Sequence, residues 1–126
     1  MSTKLRILVV DDSALMRKLI PQILARDSEI EVVGTAMDGA FGLKKIEDLR
    51  PDVVTLDLEM PRMDGLETLR QITRRFRVPV IVVSAYGTLM NEQDANQTAG
   101  VIQKPFDYDD LVGQVERATA RTLVPA

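Results

Sequence analysis

The chain of 126 residues contains no cysteine and no histidine. Without cysteine there is neither a disulfide framework nor a cysteine-ligated zinc site. Without histidine, Ser-His-Asp triads, histidine general bases and histidine phosphotransfer donors are excluded. An excess of positive charge is also lacking: the formal net charge is -3, which gives no electrostatic footing for nucleic acid. Long apolar runs are missing too. Even Val78-Pro-Val-Ile-Val-Val83 is far too short to cross a bilayer, and the first residues lack the apolar stretch of a signal peptide. What is present is enough length for one domain with a core and a hydrophobic share of 45%, which suits a globular chain. The expectation is a single domain over residues 1–126, cytoplasmic, monomeric or weakly dimeric, and bound to neither nucleic acid nor membrane.

Short apolar runs alternate with amphipathic stretches. Residues 5–10 are apolar and β-branched and predict a buried strand. Ser13 opens a helical pattern whose inner face is expected to hold Leu15, Met16, Leu19, Ile20, Ile23 and Leu24. Pro21 lies inside it and predicts a kink rather than a break. A second strand is predicted over 31–36, a turn at Asp38-Gly39, and a helix with Leu43, Ile46 and Leu49 inward. A third strand over 53–56 runs into Asp57, and residues 60–64 form a loop with a proline. Helix 65–75 carries Leu66, Leu69 and Ile72, and strand 78–83 follows. Residues 88–100 are rich in Asn, Gln and Thr, so any helix there is short or poorly packed. A strand at 101–103 and a helix capped by Asp107, with Leu111, Val112, Val115 and Ala118 inward, complete the chain. The alternation implies right-handed crossovers and a doubly wound α/β fold, a parallel sheet with helices on both faces. Continuously apolar strands support burial on both sides. Ligands of such sheets bind beyond the carboxyl ends of the strands, where the strand order reverses.

The polar residues gather at those ends. The first strand ends in Asp11-Asp12, the third in Asp57, the fourth in Ser84 and the fifth in Lys104. Each alone has a plainer explanation. Asp11, Asp12 or Ser84 would serve as a helix cap, Asp57 as a loop acid, and Lys104-Pro105 as a turn. Together they predict a site. Three carboxylates at one edge repel each other, and an all-oxygen set with room for water suits Mg²⁺. In this reading Asp57 attacks a phosphoryl group in line to give an acyl phosphate. Asp12, Asp57 and a backbone carbonyl near Glu59 hold Mg²⁺, and Asp11 assists through a metal-bound water. Lys104 pairs with one phosphoryl oxygen and Ser84 donates a hydrogen bond to another. Phosphoryl transfer needs mostly positioning and charge neutralisation, so this small set is sufficient.

At these residues the sequence resembles the receiver domain of two-component response regulators. The matching pieces are Ile7-Leu-Val-Val-Asp-Asp-Ser13, Pro51-Asp-Val-Val-Thr-Leu-Asp57, Met60-Pro-Arg-Met-Asp-Gly65, Val82-Val-Ser-Ala85 and Lys104-Pro105. Asp11-Asp-Ser-Ala-Leu-Met-Arg17 and Leu56-Asp-Leu-Glu-Met-Pro-Arg-Met-Asp-Gly-Leu66 are most similar to the receivers of chemotaxis protein-glutamate methylesterases. The resemblance implies a flavodoxin-like five-stranded sheet of order 2-1-3-4-5 and a cis Lys104-Pro105 bond. It also implies a histidine kinase as phosphodonor, and output through the face of the fourth helix, fifth strand and fifth helix. Glu59 occupies a position that the family uses to tune dephosphorylation.

Two departures from the family pattern stand out. Gly100-Val-Ile-Gln-Lys104 is shorter by about three residues than the family spacing, with Val101 or Ile102 where a switch aromatic is expected; Tyr86 is a candidate substitute. The polar stretch 91–98 overlaps the usual output surface. A degenerate receiver acting as a constitutive interaction module is therefore the alternative. A small aspartate phosphatase, with Glu59 as a second acid, is a weaker one, because it leaves the Asp-Asp and Lys-Pro pairs unexplained. By Ala126 there is no Gly-x-Ser-x-Gly elbow, so the methylesterase catalytic domain is not expected in this chain. The module is expected to be stand-alone or an excised piece that catalyses only its own phosphorylation and dephosphorylation.

Overall fold

The computed structural model describes residues 4–60, 65–85 and 90–119. Five β-branched, apolar segments form its sheet: β1 (Leu5–Val10), β2 (Ile30–Ala36), β3 (Val53–Asp57), β4 (Val80–Ser84) and β5 (Gly100–Gln103). All neighbouring pairs are parallel, in the order β2-β1-β3-β4-β5. The intervening segments are α1 (Ala14–Leu24), α2 (Gly39–Leu49), α3 (Gly65–Arg75), α4 (Glu92–Asn96) and α5 (Tyr108–Thr119). This is the flavodoxin-like doubly wound arrangement, with the fourth helix short.

Side chains alternate across each strand and split the core in two. Ile7, Val9, Val53, Ile81, Val83 and Ile102 pack with Ile20, Leu24, Leu111 and Val115 of α1 and α5. Leu8, Val10, Val54, Leu56 and Val82 pack with Leu43, Ile46, Leu69 and Ile72 of α2 and α3. Burial of each large aliphatic side chain contributes about 1.5–3 kcal/mol. No helix among the described residues is long and apolar enough to cross a membrane.

Several boundaries differ from the sequence expectation. β4 starts at Val80, not Val78, because Pro79 has no N–H to extend the ladder; only its carbonyl takes part, accepting from Val54 N at 3.0 Å. β4 also runs one residue further and includes Ser84. Asp38-Gly39 is not a free turn: Asp38 caps α2, its Oδ1 accepting from Phe41 N at 2.9 Å. α1 continues through Pro21, yet Leu15 is 70% exposed and Leu19 39%. A helix turns 100° per residue, so the row of Met16, Ile20, Ile23 and Leu24 faces the sheet and its neighbours face outward. Asp107 caps α5 reciprocally: its Oδ1 accepts from Asp110 N at 2.9 Å, and its N–H donates to Asp110 Oδ2 at 3.1 Å.

α4 is held in an unexpected way. Its single buried side chain is Asp94, gripped by Arg70 of α3 through two bonds, Nε to Oδ1 at 3.1 Å and Nη2 to Oδ2 at 2.8 Å. The guanidinium holds the Asp94 carboxyl below the usual range. The loop expected over 60–64 falls, apart from Met60, outside the described residues, as does Tyr86. Val101 is 36% exposed on β5 and Ile102 is buried.

Candidate functional site

The strand order reverses between β1 and β3, and the acids lie at that point. Val10 pairs with Leu56, so the residues that follow, Asp11 and Asp57, arrive side by side at the carboxyl edge. Both are almost fully buried, at 1% and 2% exposure, while Asp12 is exposed. Ligand oxygens of Asp11, Asp12 and Asp57 lie within 4.8 Å of one another. Neither Asp11 nor Asp12 caps α1. Ser13 does so, accepting from Met16 N, while Asp11 Oδ1 accepts from Ser13 N at 2.9 Å and fixes the turn. Arg17 Nη1 donates to the Asp11 carbonyl at 3.0 Å and straps the start of α1 to the end of β1.

Lys104 reaches the acids from the end of β5. Its Nζ is 3.4 Å from Asp57 Oδ1 and 3.8 Å from Asp11 Oδ2. The backbone brings it there: Ser84 pairs with Gln103 across β4 and β5, Lys104 N donates to the Ser84 carbonyl at 3.0 Å, and the Lys104-Pro105 bond is cis.

One cation does not balance these acids. Burial and the nearby Asp11 charge push the Asp57 carboxyl up to about 7, against the Glu59 amide and Lys104. Burial also raises Asp11. Asp11 Oδ2 is buried with no hydrogen-bond donor among the described residues, and a buried acceptor left unpaired is costly. A buried carboxylate oxygen with no hydrogen-bond donor and only the Lys104 ammonium at 3.8 Å, beside two further carboxylates, fits a hard divalent cation with oxygen ligands.

Glu59 was expected to contribute a backbone carbonyl. Its side chain does something the sequence pattern did not signal. Glu59 N donates to Asp57 Oδ1 at 3.0 Å, and its carboxylate crosses to the end of β4. There Oε2 accepts from the Ser84 hydroxyl and Oε1 accepts from Ala85 N at 2.8 Å. Ser84 therefore lies at the site edge, buried, with its hydroxyl on Glu59. The β3 end is shaped by a close backbone approach. Gly65 N donates to the Leu58 carbonyl at 3.2 Å, and a Cβ at Gly65 would fall 2.2 Å from Leu58 Cα.

The family model for the response regulator receiver domain matches residues 7–116. The chain belongs to that family. Its sequence is 59% identical, over 97% of this chain, to protein-glutamate methylesterase/protein-glutamine glutaminase 2 of Koribacter versatilis. That alignment takes in 32% of the relative, so the chain spans about a third of its length. Among solved structures, the response regulator domain of Thermotoga maritima CheB superposes with a TM-score of 0.85 at 32% identity, covering 94% of this chain and 98% of that one. The response regulator TrrA of the same organism, solved with Mg²⁺ and BeF, gives 0.81 at 32% identity over 90% and 97%.

Proposed function

We propose that residues 1–126 form a single receiver domain of a chemotaxis-type two-component pathway, phosphorylated on Asp57 by a histidine kinase with Mg²⁺. The observation that carries this reading is the pairing of two buried carboxylates, Asp11 and Asp57, with Lys104 at the reversal of strand order. Asp12 and Asp57, with the Glu59 carbonyl, would hold the ion, and Asp11 would act through a bound water. When bound, Mg²⁺ supplies positive charge that lets Asp57 ionise and offsets the charge of the phosphoryl oxygens.

The chain's own groups do the rest. An Asp57 oxygen attacks phosphorus as the bond from phosphorus to the donor imidazole nitrogen breaks, and the bonding pair returns to that nitrogen. Lys104 steadies one phosphoryl oxygen and Ser84 donates to another. Water later attacks phosphorus, restoring the carboxylate and releasing phosphate. The TrrA structure with Mg²⁺ and BeF supports the choice of ion. The methylesterase and glutaminase activities named for the relatives are not assigned to these residues, which span about a third of them. A cytoplasmic location follows from the kinase as partner.

With Mg²⁺ and acetyl phosphate, the intact protein is expected to gain one phosphoryl group by mass spectrometry, and Asp57→Asn none. Equal labelling of both would overturn the assignment. A second reading, a constitutive interaction module, draws on the aliphatic Val101, 36% exposed where the family carries a switch aromatic. It requires that beryllofluoride leave the amide spectrum of α4 and β5 unchanged.

A further inference from the structure

We propose that the Glu59 carboxylate is an internal stand-in for phosphoryl oxygens, occupying the Ser84 hydroxyl and the Ala85 amide until phosphorylation of Asp57 displaces it. The inference rests on the reading of Asp57 as the phosphoryl acceptor. A serine hydroxyl has one proton to donate, and here that proton is committed to Glu59 Oε2. The adjacent backbone donor, Ala85 N, is committed to Oε1. The two donors that face the Asp57 edge from β4 are thus spoken for by a carboxylate of the same charge sign and bidentate shape as a phosphoryl group.

The stand-in is tied to the group it stands in for. Glu59 N donates to Asp57 Oδ1, so the main chain of Glu59 follows Asp57 while its side chain spans to β4. Phosphorylation replaces the Asp57 carboxylate with an acyl phosphate that carries about -1.5 to -2 of charge two residues away and presents acceptors to the same donors. Glu59 is only half-buried, so its carboxylate has a path to water. Displacing it costs two hydrogen bonds to a charged acceptor. Glu59 therefore sets a threshold against closure of Ser84 on anything bound at Asp57, and makes it a positioning residue acting through Ser84.

The test is a titration with beryllofluoride and Mg²⁺, read by NMR, on the whole chain. Glu59→Ala is expected to bind about tenfold more tightly than the unmodified protein, close to 1.4 kcal/mol. Glu59→Gln, which keeps an acceptor but not the charge, should fall between. In a Ser84→Ala background the gain from Glu59→Ala should shrink markedly. A second readout needs no ligand: exchange of the Ala85 amide should quicken in Glu59→Ala and not in Glu59→Gln. Unchanged or weaker binding by Glu59→Ala, with Asp57→Asn abolishing binding, would overturn the proposal and leave the receiver reading standing. No binding by the unmodified protein would overturn both.

Discussion

The Lys104 ammonium stands 3.4 Å from Asp57 Oδ1 and 3.8 Å from the buried Asp11 Oδ2, so a single cation serves two buried acids. Removing one partner of such a cluster leaves the rest uncompensated. Without metal, Lys104→Met is expected to lower stability by about 1–3 kcal/mol at pH 8. The loss should shrink toward pH 5, where Asp57, poised at about 7, is protonated. Urea unfolding at the two pH values checks this; an equal loss at both would contradict it.

Without metal, stability should fall as pH rises from about 4 to 7. Folded Asp57 keeps its proton to about 7 against an ordinary value of 3.8, so in that window the folded state binds more protons than the unfolded chain. Its advantage is complete below the unfolded value and gone above the folded one. A displacement of this size is worth on the order of 2–4 kcal/mol, and the upward displacement of Asp11 acts in the same direction. Millimolar Mg²⁺ is expected to offset the fall, because a cation held by the ionised, folded site would stabilise that state. The Mg²⁺-induced rise in Tm is therefore expected to be larger at pH 8 than at pH 5. Scanning calorimetry with EDTA or Mg²⁺ would show it, and a pH-independent rise would count against the shared cation.

Gly65→Ala should be among the most damaging small substitutions. The added Cβ would meet Leu58 Cα at 2.2 Å and Asp57 O at 2.6 Å, and these are backbone atoms with nowhere to go. A loss of about 3 kcal/mol is expected, together with weaker Mg²⁺ binding as the β3 end is pushed aside. Denaturation and calorimetric titration measure the two effects separately.

Thr55→Val should stabilise. Thr55 is 1% exposed in the middle of β3, and its hydroxyl has no hydrogen-bond partner among the described residues. Valine keeps the branched shape that strands favour and removes the unpaired group. A gain of about 1 kcal/mol is expected in urea unfolding; a loss would reveal a partner for the hydroxyl.

The sheet and the meeting of Asp11, Asp57 and Lys104 were legible because strand ends are marked by where an apolar run stops. Parallel registry carries those ends to one edge without further information. What Glu59 does was not legible. A carboxylate two residues beyond a strand end has several rotamers open to it, and only the assembled end of β4 selects the one that reaches Ser84 and Ala85. The Arg70 and Asp94 pair was hidden for a related reason. Both sit in polar stretches and are separated by 24 residues, so each reads as a solvated charge. On α1, the six apolar positions covered a wider arc than the sheet could bury, and Leu15 and Leu19 lost the competition.

The fastening of α4 bears on how this protein can acquire new partners. The helix spends five residues and one inward side chain, a carboxylate, on its attachment to the body. None of the aliphatic positions that hold the sheet together lies in it. Fold and fastening are thus written in different alphabets, the one aliphatic and shared by every strand, the other polar and confined to a short segment. Rewriting the second leaves the first intact, so new binding specificity can be engineered here by replacing α4 around a retained Arg70 and Asp94 pair.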